Sequence, residues 1–590
     1  MSETAIHTMT LLRKYRVLNR SINHSARGSV VHSRRVSLAW RLLLRRVSRH
    51  FHSIGLLLGT LFFAVSLTPS LLPRPDYVQG LISGLSLSAG YGAGVLLYLV
   101  WDYFGLPVAQ HRVRRLIQLV VTVLFVFVVI VFLWQASGWQ NNVRDLMGME
   151  AITGIQMSMI AVIAVTLFLT LLWLFRLFYR TFLFLSKKMQ HFVPTRVSHL
   201  AGLLSALILF WSIIDGVLFS LALQAADRSY QRIDALIEPE FEPPLETNKT
   251  GSATSLISWE QLGRQGRRFV SLAPTRQQIA EYAPLQSIAQ TMDPLRVYVG
   301  LNSAETAQER ADLALAELLR VGAFSRAVLV LITPTGTGWV DPGSIGPLEY
   351  LYGGNTASVA AQYSYLSSPL AILSEADYGV ETARAMFQTI YGYWSELPAD
   401  DRPDFYLLGL SLGALNSDLS FDFYDIIEDP FHGALWSGPP FRSETWRSVT
   451  LLRDPGSPAW LPKFRHGAVV RFANQSGGLD LPGSDWGAFR IAFLQYASDP
   501  ITFFAPQVLY REPDWMQGAR GPDVTPDLRW FPVVTMLQLA ADMASGVSPR
   551  GYGHAYAAEH YLDSWVALTE PVGWTSEELG RLRAFFSVQR

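Results

Sequence analysis

Apolar residues run in long blocks through the first half of the chain and in short ones through the second. Five long blocks lie near 53–72, 78–101, 116–135, 152–175 and 200–223. Each is about long enough to cross a hydrocarbon core of roughly 30 Å at 1.5 Å of helical rise per residue. The third, LIQLVVTVLFVFVVIVFLW, carries no charge. The second, LISGLSLSAGYGAGVLLYLV, is rich in glycine and serine, which predicts a helix packed closely on its neighbours. From 227 the chain turns polar, and EPEFEPPLETNKTGSATS (238–255) reads as a spacer. The following WEQLGRQGRRFVSLAPT (259–275) predicts a short helical or docking segment. Its Arg264, Arg267 and Arg268 read as a solvated charge run, with contact to anionic headgroups as the alternative.

After about 294 the period changes. LRVYVGL (295–301), AVLVLITP (327–334), DFYLLGLS (404–411), GALWSGPP (433–440) and AVVRFANQ (468–475) predict strands, and RIAFLQYASDPITFF (490–504) opens with another. Residues 304–322 and 380–397 have helical periodicity. Strands alternating with helices over some 300 residues predict an open, mostly parallel α/β sheet. The predicted organisation is a basic arm (1–50), an all-α transmembrane domain of about five spans (51–226), a polar linker and docking segment (227–290) and an α/β domain (291–590).

Charge adds an orientation. Residues 1–226 hold 21 Lys+Arg against 6 Asp+Glu, and the remainder holds 27 against 42. The arm alone has eleven basic residues and one acid, Glu3. An apolar block follows it at once, which favours a retained cytoplasmic arm over a nucleic-acid-binding tail. The Arg112–Arg115 turn and the loop with Arg176, Arg180, Lys187, Lys188 and Arg196 fall on the arm's side, whereas the opposite loops hold Arg74 and Arg144. The positive-inside rule then places the arm in the cytoplasm and, after five crossings, the acidic half outside. Asp215 lies within the fifth block, where a carboxylate is either functional or fixes helix packing; packing is the favoured reading. The chain has no cysteine, which excludes disulfides, thiolate metal sites and a cysteine nucleophile.

The chemistry gathers around LLGLSLGALNS. Gly409-Leu-Ser411-Leu-Gly413 follows a predicted strand and precedes a helical run, the context in which G-x-S-x-G presents a nucleophile. An acid and a histidine should follow in that order. Asp499 stands at the carboxyl end of the 490–504 run, better placed than Asp480 or Asp485 in a glycine-rich loop or Asp542 in a helical pattern. Among later histidines, His554 follows the flexible Gly551-Tyr-Gly553, while His560 lies within a helix and reads as a surface or packing residue. His432 and His466 come too early in the chain. Oxyanion donors are expected from the Leu412 amide and the glycine-rich loop after an early strand, residues Thr335, Gly336, Thr337 and Gly338. This chemistry implies no metal and no organic cofactor.

LLGLSLGALNS, TPTGTGWVDP, YLYGGNTASVAAQYSYLSSPL, LQYASDPI and GHAY with YLDSWVAL, together with VSLTPSLLPR at 65–74, resemble a bacterial family of membrane-anchored α/β-hydrolases with a multi-span N-terminal region. The resemblance implies an α/β-hydrolase fold and a serine-hydrolase domain on a membrane anchor. Carried over by motif, Ser411, Asp499 and His554 fill the triad. The expected activity is hydrolysis of an acyl ester of a lipid or lipid-linked envelope component at the inner membrane. An acyltransferase with the same triad is the alternative, and a non-catalytic transporter or scaffold the second. The stretches 352–373 and 501–518 are candidates to line an acyl pocket, with core packing as the reading for most of their aromatics. The acidic catalytic half disfavours nucleic acid as a partner, and the oligomeric state stays open.

Overall fold

The computed structural model describes residues 51–107, 111–368, 370–371, 376–545 and 548–588. The predicted arm, 1–50, lies outside them. Among the described residues, four helices are long and apolar enough to cross a membrane: Asp76–Tyr103, Leu116–Leu146, Met157–Met189 and Thr195–Val217. The first of the five expected spans is corrected. Its block is helical over Ser53–Val65 alone, because Pro69 and Pro73 remove amide donors and bar the preceding residues from helical backbone.

The described chain divides into two compact units, one of 51–64 and 83–131 and one of 65–82 and 132–588. In the first, the glycines of the second block explain themselves. A Cβ on Gly94 would lie 2.7 Å from the Gly55 Cα, and one on Gly90 2.7 Å from the Leu58 carbonyl. The backbones of Ser53–Val65 and Asp76–Tyr103 therefore touch, as small residues allow in lipid.

The second unit is built on a seven-stranded, wholly parallel sheet. Its strands are β1 (Leu295–Val299), β2 (Val328–Thr333), β3 (Thr356–Ala361), β4 (Asp404–Leu410), β5 (Gly433–Ser437), β6 (Val470–Ala473) and β7 (Arg490–Leu494), in the order β1-β3-β2-β4-β5-β7-β6. The α/β-hydrolase expectation for the fold holds. The strands are buried along nearly their whole length, as crossover helices on both faces require. The helix Ala307–Val321 opens on a Thr306/Glu309 capping box and stops at Gly322, φ +73°. Within the 352–373 stretch, Thr356–Ala361 is β3, wholly buried between β1 and β2, while Tyr363 and Leu366 pack against Leu412.

The linker also reads differently in three dimensions. Ile257, Trp259, Leu262, Phe269, Val270 and Ile279 are all in the core of the α/β domain. Arg267 is buried and donates to the Asp234, Leu236 and Trp259 carbonyls. Arg264 and Arg268 both bind Glu238, at 2.8 and 2.6 Å. These arginines are not a free charge run; they fasten 234–238 onto the helix Gly263–Ser271.

A second strap comes from residues 65–75. The Asp542 carboxylate accepts from the Leu71 and Leu72 amides at 3.1 and 3.4 Å. Gln538 Nε2 donates to the Thr68 carbonyl at 2.9 Å, and Arg74 Nη2 to the same oxygen at 2.9 Å. Arg74 and Asp542 are fully buried side by side, and burial pushes the Asp542 carboxyl up to about 6 against the pull of Arg74. Asp215, by contrast, sits exposed on the first turn of a π-helical stretch, Ile214–Phe219. It does not fix packing within this chain.

Candidate active site

Ser411 follows the last residue of β4 and caps the helix Leu412–Asp418 with φ +58° and ψ −123°, a backbone region that costs a non-glycine residue strain. The two glycines of the motif make that turn possible. A Cβ on Gly409 would lie 2.6 Å from the Gly413 carbonyl carbon, and one on Gly413 2.1 Å from the Thr333 carbonyl oxygen at the end of β2. The turn is held to the neighbouring strand by the Ser411 amide, which donates to the Ser437 carbonyl at 2.9 Å.

Asp499 follows β7 and caps the helix Pro500–Phe503, with no solvent exposure. Its Oδ1 accepts from the Ile501 amide at 2.8 Å. Its Oδ2 accepts from Thr502 Oγ1 at 3.2 Å and from the Tyr556 hydroxyl at 2.8 Å, and meets His554 Nδ1 at 2.8 Å. The contact with the carboxylate fixes His554 with Nδ1 protonated and Nε2 as the free base. Nε2 is buried and has no hydrogen-bond partner among the described residues. The ring lies against Gly438, where an added Cβ would sit 2.6 Å from Cε1. Gly438 directly follows Ser437, to which Ser411 is tied. Acid and histidine are thus joined directly at 2.8 Å, while the serine is linked to them only through the Ser437-Gly438 backbone after β5.

The loop after β2 lies against the elbow, through the contact of Gly413 with Thr333. Most of its amides are engaged, which narrows the candidates for an oxyanion donor from this loop. The Thr335 amide donates to the Trp339 carbonyl at 3.0 Å, Gly336 to Ser368 Oγ at 3.2 Å and Gly338 to the Thr335 carbonyl at 2.8 Å. Thr337 is the loop residue whose amide makes no such closure among the described residues. Leu412, first in its helix, has no intrahelical acceptor for its amide.

Several residues escaped the sequence. Tyr556, two residues beyond His554, grips the acid, and its ring stacks on Tyr496 at 4.5 Å. Tyr496 in turn contacts His560 Nδ1 at 2.7 Å, so His560 packs in the interior, where burial lowers its pKa to about 4. Ser498 accepts from the Gly553 amide at 2.9 Å and donates to Asp523 at 2.5 Å, clamping the histidine loop to the acid's own strand end. Leu72 presses on Gly553 from the other side. Tyr556 stood within the GHAY motif; the rest are contacts between distant parts of the chain and leave no local signal. Among the described residues no cluster of three or more His, Asp or Glu could hold a metal ion.

A parallel sheet with a serine on a strained strand-to-helix turn defines the α/β-hydrolase class. This chain belongs to the alpha/beta-hydrolase family, whose pattern matches residues 295–582 and whose N-terminal pattern matches 67–274. No curated protein and no solved structure matches it.

Proposed function

We propose that the protein is a membrane-anchored serine hydrolase that cleaves an acyl ester of a lipid or lipid-linked envelope component. The observation that carries this reading is the His554–Asp499 contact beside a strained elbow serine. Ser411 Oγ attacks the acyl carbonyl as its proton passes to His554 Nε2. Asp499 stabilises the imidazolium and keeps its tautomer. The amides of Leu412 and, from the 335–338 loop, Thr337 face the oxyanion. His554 then protonates the leaving alcohol. In the second half-reaction it takes a proton from water, which releases the acid and restores the serine.

The anchor supports a substrate confined to a membrane, since confinement of both partners raises their effective concentration. The fold also supports an orientation. Within the second unit, residues 65–75 and the 147–149 turn pack on the α/β domain. Lys187, Lys188 and Arg196 lie at the far end of the 33-residue helix Met157–Met189, about 50 Å of rise away. Positive charge inside then puts the α/β domain outside the cytoplasmic membrane.

A fluorophosphonate probe should label the wild-type protein and leave Ser411→Ala unlabelled. Labelling that survives the substitution moves the nucleophile elsewhere. Incubation with a radiolabelled acyl lipid should yield free fatty acid; label transferred to a second alcohol makes the enzyme a transferase.

A further inference from the structure

The loops after β5 and β7 enclose a cavity of about 580 Å³, within the range of small-molecule sites. Its floor is formed by Trp446, Phe503, Val508 and Trp515, all buried. Both indole N–H groups are committed elsewhere. Trp446 donates to Gln495 Oε1 at 2.6 Å and Trp515 to the Phe503 carbonyl at 2.9 Å. What faces the cavity is therefore hydrocarbon, and the Phe441 and Phe504 rings, edge to face at 5.1 Å, extend it.

The rim is unlike the floor. Arg442, Arg447 and Arg511 are exposed there, with no side-chain hydrogen bond or ion pair among the described residues. Arg453 stands beside them, held by the Thr450 and Ser457 carbonyls. Two acids, Glu512 and Asp514, share the lining and pair with none of the four. Like charges gathered around one opening repel unless an anion joins them. One carboxylate satisfies a single guanidinium fork, whereas a phosphate offers oxygens to several.

The cavity adjoins the acid of the candidate site. Thr502 lines it and donates to Asp499 Oδ2, and the Phe441 amide donates to the Ile501 carbonyl at 3.1 Å. We propose that this cavity binds a phosphate-bearing amphiphile, its chain on the Trp446–Trp515 floor and its phosphate on the arginine rim, and that it selects such esters for the serine. The selection rests on the hydrolase reading above; the binding does not.

The test uses the full chain as Ser411→Ala in dodecyl maltoside micelles, titrated by calorimetry with dodecyl phosphate, dodecanol and inorganic phosphate, with partition into protein-free micelles subtracted. Dodecyl phosphate should bind one to one. Its affinity should fall at least tenfold in Arg447→Gln/Arg511→Gln, two exposed positions that leave the fold intact. Dodecanol and inorganic phosphate should each bind at least tenfold more weakly. Dodecanol binding as tightly, or an affinity indifferent to the double substitution, overturns anion recognition. Inorganic phosphate binding as tightly makes the cavity a free-anion site and overturns the amphiphile. For selection, the wild-type kcat/KM ratio of phosphate-bearing over neutral esters should drop tenfold in the double variant, and an unmoved ratio overturns that role. Absent binding leaves the serine reaction standing. Binding by a protein that no fluorophosphonate labels leaves the cavity standing instead.

Discussion

Ser411 keeps its unfavourable backbone because β4, the following helix and the Ser437 carbonyl together over-determine the turn. Ser411→Gly removes the strain, so thermal unfolding should show a gain of about 1 kcal/mol while esterase activity vanishes; Ser411→Ala should lose activity without that gain. Gly438 is the converse case. A methyl there, at φ +50°, meets His554 Cε1 at 2.6 Å. Gly438→Ala should lower kcat roughly a hundredfold, as a displacement near 1 Å does, with little change in KM. His560 supplies a pH dependence. Its folded pKa near 4 lies below the unfolded value of about 6.5. Stability from the neutral ring is complete above pH 6.5 and is lost as pH falls toward 4, on the order of 3 kcal/mol. Unfolding midpoints measured across that window should flatten in His560→Gln, whose amide oxygen still accepts from Tyr496. The positions of Ser411 and Asp499, after β4 and β7, were legible because each stands at a strand end inside a short motif; His554 lies in a glycine loop between two helices and was singled out by its motif alone. Gly438 and Tyr556 act through the backbones and rings they touch, which no motif records.

At the scale of elements, a β-branched run announced β2, a short apolar run announced β4, and sustained apolar blocks announced the long helices. β3 passed unread because Thr-Ala-Ser-Val-Ala-Ala is a strand of small residues, chosen by the closeness of β1 and β2 and not by its own propensity. The segment 227–290 looked like linker because 238–255 is rich in proline and acids and the arginines of 264–268 read as a charge run, yet the partners of those arginines, Glu238 and backbone carbonyls, lie some thirty residues away. The first apolar block misled in the opposite sense: hydropathy reads through Pro69 and Pro73, but the helix does not. Its tail is instead a strap, and the strap is testable. Asp542→Ala leaves Arg74 buried without a counter-charge and the Leu71 and Leu72 amides without an acceptor. It should cost about 3–5 kcal/mol, read as a lowered unfolding midpoint.

For the whole molecule, sequence made the order of parts legible: apolar helices first, α/β sheet second. It placed the division between them at 226, whereas the compact units divide inside the first two helices and again at 131. Protease added to intact spheroplasts should clip the α/β domain; a domain protected until lysis reverses the orientation. The strap of 65–75 also sets a timetable. Leu71 meets Asp542 across 471 residues, which a ribosome working at roughly 5–20 residues per second takes about 25–90 s to add. For that interval the strap is already at the membrane while its seat has not been made. The fold is therefore completed late, when a helix made near the end of synthesis closes on one of the oldest segments. A chain begun at residue 227 never receives that segment. It should stay inactive, and a peptide spanning 64–75, added during refolding, should restore turnover.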